Sequence, residues 1–137
     1  MQFIQHAAHG EMNIFIVEDS SAVLERLVDL VGEVPGIQMV GDARNYDDAV
    51  SGILSTRPDV AILDIKLAND RGSGIDVLQR VKAELPGLKA IMLSNHATPQ
   101  HLRASVEAGA EYFLDKSTDF ERISGILEQL QKESEAG

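Results

Sequence analysis

The chain has 137 residues, 44% of them hydrophobic and 25% charged, which fits one globular domain and excludes disordered, collagen-like and coiled-coil proteins. It contains no cysteine, which excludes disulfides, thiolate catalysis and sulfur-liganded zinc sites. Its net charge of -10 argues against direct nucleic-acid contact, and since no apolar run exceeds four residues we expect a soluble cytoplasmic protein without a membrane segment.

The first eleven residues show no sustained hydrophobic period, and we expect a flexible extension over residues 1–11. Met12 opens a strand-like segment, and translation beginning there is an open alternative. His6 and His9 in the extension are expected to be solvated. We predict one domain over residues 12–131 and a short polar end over residues 132–137.

Short apolar runs alternate with amphipathic segments along the domain, which is typical of a βαβ protein. We predict strands at residues 14–17, 37–40, 60–63, 90–93 and 112–114, and helices with apolar stripes at residues 23–31, 49–54, 75–81, 102–106 and 120–130. Thr98 and Pro99 are a good cap and first-turn pair for the fourth helix. That helix has only Leu102 and Val106 as large apolar residues, so we expect it to pack loosely.

The predicted strands are apolar at nearly every position, so both faces of the sheet should be covered by helices. These features predict an α/β fold with a doubly wound parallel sheet of five strands and five helices. Right-handed crossovers favour the flavodoxin-like strand order 2-1-3-4-5. Ligands of such sheets bind at the carboxyl ends of the strands, near the switch between the first and third strands.

Polar and charged residues follow four predicted strands at this edge: Glu18 and Asp19, Asp64, Ser94, and Lys116. Each alone is explained by a capping or turn role, or by solvation. Together, carboxylates within about 5 Å would repel by ~3 kcal/mol per pair at an effective dielectric near 20, which a cation or protonation must offset. Hard oxygen ligands favour Mg²⁺, and a neighbouring hydroxyl and ammonium group suit a phosphoryl group.

These polar and charged residues, at these spacings on a βα repeat, resemble the receiver domain of bacterial two-component response regulators over residues 12–131. The matching residues are the acid pair after residues 14–17, Asp64 after Ala61-Ile62-Leu63, Ser94, Phe113 and Lys116. Gly74 and the turn at residues 107–110 also fit the family pattern.

The resemblance implies that Asp64 is the phosphoacceptor and is phosphorylated from the phosphohistidine of a histidine kinase or phosphotransfer protein. Asp19 and Asp64 would bind Mg²⁺ with the backbone carbonyl of Lys66, and Glu18 would act largely through water. Lys116 would contact the phosphoryl group. Such a protein modifies itself and is not a turnover enzyme.

The resemblance also implies a switch pair, in which the Ser94 hydroxyl moves to the phosphoryl group and the Phe113 ring turns inward. The surface that changes would be the fourth helix, fifth strand and fifth helix, which would act on an output domain or a protein target. A homodimer through the last helix stays open. So does the choice between a stand-alone receiver and one cut from a longer protein, whose missing output would be a DNA-binding helix-turn-helix.

Three features depart from the family pattern. Asp64 and Gly74 are ten residues apart, two more than usual, so residues 67–73 form a longer loop that we interpret as a tolerated insertion. Ser117 follows Lys116 where many receivers have proline, and we predict a trans peptide there. Lys66 and His96 border the site in relatives. One hypothesis pairs Lys66 with Glu18 in the absence of metal, and the alternative is a solvated Lys66, because exposed pairs contribute little. His96 would tune hydrolysis of the acyl phosphate. His101 is interpreted as a helix-surface residue.

Three other functions are compatible with an aspartate after an apolar strand or with the α/β pattern. A haloacid-dehalogenase-like phosphohydrolase needs a second aspartate two residues after the first, where this chain has Lys66. A nucleotide-binding flavodoxin-like module needs a glycine-rich phosphate loop after the first strand, which the acid pair replaces. A receiver-like interaction module that works without phosphorylation is the main alternative.

Overall fold

The computed structural model describes residues 11–67 and 72–136, so the predicted extension lies outside the described residues except for Glu11. Five strands lie within this part of the chain: β1 (Met12–Val17), β2 (Ile37–Ala43), β3 (Val60–Asp64), β4 (Lys89–Ser94) and β5 (Tyr112–Asp115). They alternate with five helices: α1 (Ser21–Gly32), α2 (Tyr46–Thr56), α3 (Gly74–Lys82), α4 (Pro99–Glu107) and α5 (Arg122–Ala136).

The strands form one parallel sheet in the order β2-β1-β3-β4-β5, which confirms the predicted topology. At its carboxyl edge Val17 pairs with Leu63, and Asp64 pairs with Leu93. The residues that directly follow β1 and end β3 are therefore neighbours in space. The switch point of the sheet lies between these two strands, as the sequence predicted.

Alternate residues of each strand enter two separate hydrophobic layers. Ile14, Ile16 and Ile62 pack with α1 and α5 on one face of the sheet. On the other face Phe15 and Val17 pack with α2 and α3. Burial on both faces explains why the strands are apolar at consecutive positions, and each fully buried isoleucine or leucine contributes roughly 1.5–3 kcal/mol of transfer free energy.

The Phe15 ring packs closely against two glycines, Gly41 and Gly52, where it leaves no room for a side chain. A Cβ on Gly52 of α2 would lie 2.5 Å from this ring, so the helix can approach β1 only because that residue is glycine. The close approach of α2 fixes β1, the strand that leads into the acid pair.

Four helices begin at a side-chain cap beside the carboxyl edge of the sheet. Each cap oxygen accepts a hydrogen bond from a backbone N–H of the first turn, which satisfies one of the donors that a helix start leaves free. The caps are Ser20, Asn45, Ser73 and Thr98. These caps direct the chain away from the edge and leave the neighbouring loops to carry polar groups. Thr98-Pro99 opens α4 as predicted.

The structure differs from the sequence-based boundaries at the C-terminal helix and in α4. Helix α5 continues through residues 132–136, where we expected a polar end, and Phe120 lies in the turn before α5 rather than within it. In α4 the side chain of Ser105 is the buried one, while Leu102 and Val106 are exposed. The large apolar residues of α4 therefore face outward, which accounts for its weak apolar stripe.

None of the helices in the described residues is long and apolar enough to cross a membrane.

Candidate functional site

Four charged side chains meet at the carboxyl edge of the sheet. Glu18 and Asp19 follow β1, Asp64 ends β3, and Lys116 follows β5. One carboxylate oxygen from each of the three acids lies within 4.8 Å of the others. The parallel sheet produces this cluster because β1 and β3 are adjacent and end at the same level.

Lys116 is the cation of the cluster. Its Nζ lies 3.0 Å from Oε1 of Glu18 and 3.1 Å from Oδ2 of Asp64, and all three side chains are buried. The hypothesis that Lys66 pairs with Glu18 is therefore wrong for this structure, because Lys66 is exposed and Lys116 occupies that position. The lysine that reaches the acids follows β5, and Lys66 is exposed, as in the alternative of a solvated Lys66.

Glu18 is held in an environment that disfavours its charge. Burial and the nearby Asp64 carboxylate raise the pKa of Glu18 to about 7, against the opposing effect of Lys116 and the backbone N–H of Ser20. That N–H donates to Oε2 at 3.1 Å. Oε1 contacts the Lys116 ammonium ion, but within the described residues it has no donor in hydrogen-bond geometry. The site thus has a buried carboxylate oxygen whose negative charge is only partly neutralised by Lys116.

The pKa values of Asp64 and Lys116 are shifted by the same surroundings. Burial raises the pKa of Asp64, Lys116 opposes this effect, and Asp19 adds to it. Burial alone would lower the pKa of Lys116, but the close contacts with the Glu18 and Asp64 carboxylates outweigh this effect and raise the pKa. Lys116 therefore stays protonated and partly neutralises the acids around it.

The donor set fits a hard divalent cation. Three carboxylates converge without cysteine or histidine, and one buried oxygen of Glu18 lacks an aligned donor, which are properties that suit Mg²⁺. Asp19, Asp64 and Lys66 line the open cleft above the cluster. The role of the Lys66 backbone carbonyl as a ligand remains a prediction.

The hydroxyl of Ser94 is engaged with the loop that follows β4. It donates to the backbone carbonyl of His96 at 2.7 Å and accepts from the His96 N–H at 3.1 Å. His101 is more than a surface residue, because its Nδ1 lies 3.0 Å from the same carbonyl. Phe113 is half-buried on β5 and packs against the hydrophobic layer formed with α2 and α3. The switch role of Ser94 and Phe113 stays a prediction.

Asn95 is a cleft residue that the sequence analysis missed. It directly follows Ser94, and it lines both the cleft at the acid cluster and a groove that is also lined by Lys116, Arg26 and Phe120. The Arg26 guanidinium lies 4.2 Å from the centre of the Phe120 ring. The position of Asn95 directly after a strand at the carboxyl edge was the signal that could have identified it.

The loop after Asp64 is anchored where it meets α3. The N–H of Gly74 donates to the carbonyl of Ile65 at 2.8 Å, and a Cβ at this position would lie 2.0 Å from the carbonyl oxygen of Asp64. Glycine is therefore required for α3 to begin against the end of β3. Residues 68–71 of the longer loop lie outside the described residues. The peptide between Lys116 and Ser117 is trans, as predicted.

Comparison with known proteins identifies the family. A model described as the response regulator receiver domain matches residues 14–128. The chain belongs to the response regulator receiver family. This receiver domain is 30% identical over 105 residues to the DNA-binding transcriptional activator DevR/DosR of Mycobacterium tuberculosis, covering 77% of this chain and 48% of that protein. It is 28% identical over 116 residues to the transcriptional regulatory protein DesR of Bacillus subtilis, covering 85% and 56%.

Solved structures support the fold. The isolated REC domain of RcsB from Salmonella enterica serovar Typhimurium, in the presence of phosphomimetic BeF3-, superposes with a TM-score of 0.81 at 24% identity, covering 89% of each chain. A LuxR-family two-component response regulator from Aurantimonas sp. gives 0.81 at 22% identity, covering 89% of this chain and 86% of that one. The receiver domain spans about half the length of the curated relatives described above.

Proposed function

We propose that this receiver domain accepts a phosphoryl group on Asp64 in a Mg²⁺-dependent reaction, with a histidine kinase or phosphotransfer protein as the donor. The observation that carries the proposal is the buried Lys116 ammonium ion between Asp64 and Glu18, within the three-acid cluster at an open cleft. A buried carboxylate at a cleft, flanked by a cation and by further acids, has the arrangement that phosphoryl transfer needs.

In the proposed reaction, one carboxylate oxygen of Asp64 forms a bond to phosphorus as the bond from phosphorus to the donor nitrogen breaks. The nitrogen leaves with the electron pair of that bond, and because the other nitrogen of the donor ring carries a proton, the products are an acyl phosphate on Asp64 and a neutral imidazole. Mg²⁺ held by Asp19, Asp64 and Glu18 would neutralise charge on the phosphoryl oxygens. Each transfer places one phosphoryl group on the receiver domain itself, and no metabolite is released.

Lys116 has two successive roles in this proposal. Before transfer it offsets the repulsion between Glu18 and Asp64, as its two contacts of about 3 Å indicate. Once phosphorylated, Asp64 no longer offers the same carboxylate, and the ammonium ion becomes available to a phosphoryl oxygen. Its buried position makes this charge effective, because little water screens it.

The proposed output is a change in the face formed by α4, β5 and α5. Ser94 would leave its contacts with the His96 backbone to donate to a phosphoryl oxygen, and Phe113 would turn into the space that opens. Releasing the His96 carbonyl would loosen the loop that His101 also holds. A shift of α4 should cost little free energy, because its two large apolar side chains are exposed and contribute little to the hydrophobic core. An output domain or a target protein would bind the altered face.

The test is intact mass after incubation with phosphoramidate or acetyl phosphate, with and without Mg²⁺. We expect one phosphoryl adduct that requires the metal and is lost in Asp64→Asn. Asp29→Asn, at an exposed position of α1, is the matched control and should be labelled like the wild type. Absence of an adduct, under conditions that label another receiver domain, would favour an interaction module that works without phosphorylation.

A further inference from the structure

Arg44 connects two loops at the edge of the acid cluster. It follows β2, and its guanidinium group donates from Nη1 to the backbone carbonyl of Asp19 at 3.1 Å. Nη2 of the same group donates to Oγ of Ser21 at 2.5 Å. The side chain therefore spans the turn that leads from β1 into α1, which is the turn that carries Asp19.

Within this turn, the orientation of Asp19 depends on a contact from another loop more than the orientation of Glu18 does. Glu18 is buried, its N–H donates to the Ala43 carbonyl at 2.9 Å, and its side chain accepts from the N–H of Ser20. Asp19 is only half-buried, and within the described residues its carboxylate forms no ion pair. The direction of that carboxylate consequently depends on the backbone of the turn, which Arg44 holds.

We propose that Arg44 is a positioning residue of the metal site, which orients Asp19 for Mg²⁺ by fixing the backbone of the β1–α1 turn. The guanidinium group binds the carbonyl rather than the carboxylate of Asp19, so the metal-binding oxygens stay accessible. Groups that hydrogen-bond directly to metal ligands typically contribute roughly 10–100-fold to metal affinity, and a group that acts through the backbone of a ligand should contribute less. The inference rests on the proposed function only in taking the acid cluster as a Mg²⁺ site.

Arg44 also carries a positive charge, which by itself opposes cation binding. Because Arg44 is exposed, salt screens this repulsion over about 8 Å and its effect on affinity is about twofold or less. The orienting contribution acts through hydrogen bonds and should exceed it. The two effects have opposite signs, so the direction of the change in Mg²⁺ affinity decides between them.

The experiment is a Mg²⁺ titration of the receiver domain without any phosphoryl donor, followed through backbone amide chemical shifts. We expect Arg44→Ala to raise the apparent Mg²⁺ dissociation constant about fivefold, below the roughly 10–100-fold that is usual for residues that orient metal ligands, because Arg44 is exposed. Ser21→Ala, which removes one of the two hydrogen bonds, should raise it about twofold. The double variant should match Arg44→Ala, because the Ser21 hydroxyl contributes only through its hydrogen bond with Arg44.

Further variants separate positioning from charge and from folding. Arg44→Lys keeps the charge and should recover only part of the affinity, and Arg103→Ala on α4 should leave the dissociation constant unchanged. The fivefold difference should persist at high ionic strength, where a charge effect disappears. Urea unfolding of the metal-free variants tests for a merely structural role, which would lower stability while leaving the dissociation constant in place.

An unchanged or lower Mg²⁺ dissociation constant in Arg44→Ala would overturn the inference, as would a wild-type protein that binds no Mg²⁺. Failure of the proposed function has a different signature, since the wild type would then bind Mg²⁺ but acquire no phosphoryl adduct on Asp64.

Discussion

Replacing Glu18 with glutamine should stabilise the metal-free receiver domain. The Glu18 side chain is fully buried, and its surroundings raise its pKa from 4.5 to about 7. Glutamine has nearly the same shape, it still offers an oxygen to the Ser20 N–H, and it cannot ionise. The substitution therefore removes a charge that folding forces into a dry, acidic site.

The size of the effect follows from the two pKa values. Between pH 4.5 and about 7 the folded state binds more protons at Glu18 than the unfolded state does, so wild-type stability falls as pH rises through this window. Above it, the difference between 4.5 and about 7 corresponds to a cost of ~3 kcal/mol. Glu18→Gln should recover most of that free energy near pH 7.5 and less than about 1 kcal/mol near pH 5.

Urea unfolding followed by far-ultraviolet circular dichroism is the suitable assay, because the chain has no tryptophan. Measurements in a chelator at the two pH values should show the gain only at the higher one. Glu25→Gln, at an exposed position of α1, should change neither value. Added Mg²⁺ should stabilise the wild type more than the variant and so reduce the difference. An equal gain at both pH values, or a loss near pH 7.5, would refute the reasoning.

Three further substitutions test other parts of the site. Gly74→Ala should lower the free energy of unfolding by about 3 kcal/mol or more in urea titrations, because its Cβ would lie 2.0 Å from the Asp64 carbonyl oxygen. Ser105→Ala should raise it by about 1 kcal/mol, since the buried hydroxyl has no hydrogen-bond partner in the part of the chain that the structure describes. Lys116→Met should lower it by about 3 kcal/mol without metal. The same variant should bind Mg²⁺ about tenfold more tightly in amide-shift titrations, because an unpaired Glu18 and Asp64 attract the cation more strongly.

The sequence was most informative where a residue's role depends on local pattern. Consecutive apolar residues at 14–17 and 60–63 predicted strands covered on both faces, and the two strands are adjacent as the topology rules required. The caps Ser20 and Thr98 follow from the chemistry of a helix start. Strand and helix ends were less accurate, because the tertiary contacts of a terminus decide how far an element extends.

Contacts between separate loops were harder to predict. The sequence indicated that Glu18 needs a cation, but Lys66 is nearer along the chain than Lys116, and only the packed sheet shows that Lys116 reaches both acids. Arg44 gave no sequence signal beyond its place after β2, because its partners are a backbone carbonyl and a hydroxyl.

The sequence by itself determined the fold class, the edge of the sheet that carries the site, and the three acids that converge there. It could do so because strand periodicity and right-handed crossovers leave few arrangements, and every parallel strand delivers its following residue to one edge. The tertiary structure alone decided which cation neutralises the acids, how strongly burial raises the pKa of Glu18, and which loop supports Asp19. Those properties depend on distances of a few ångströms between residues far apart in the chain, and on water exclusion that forms only when the elements pack.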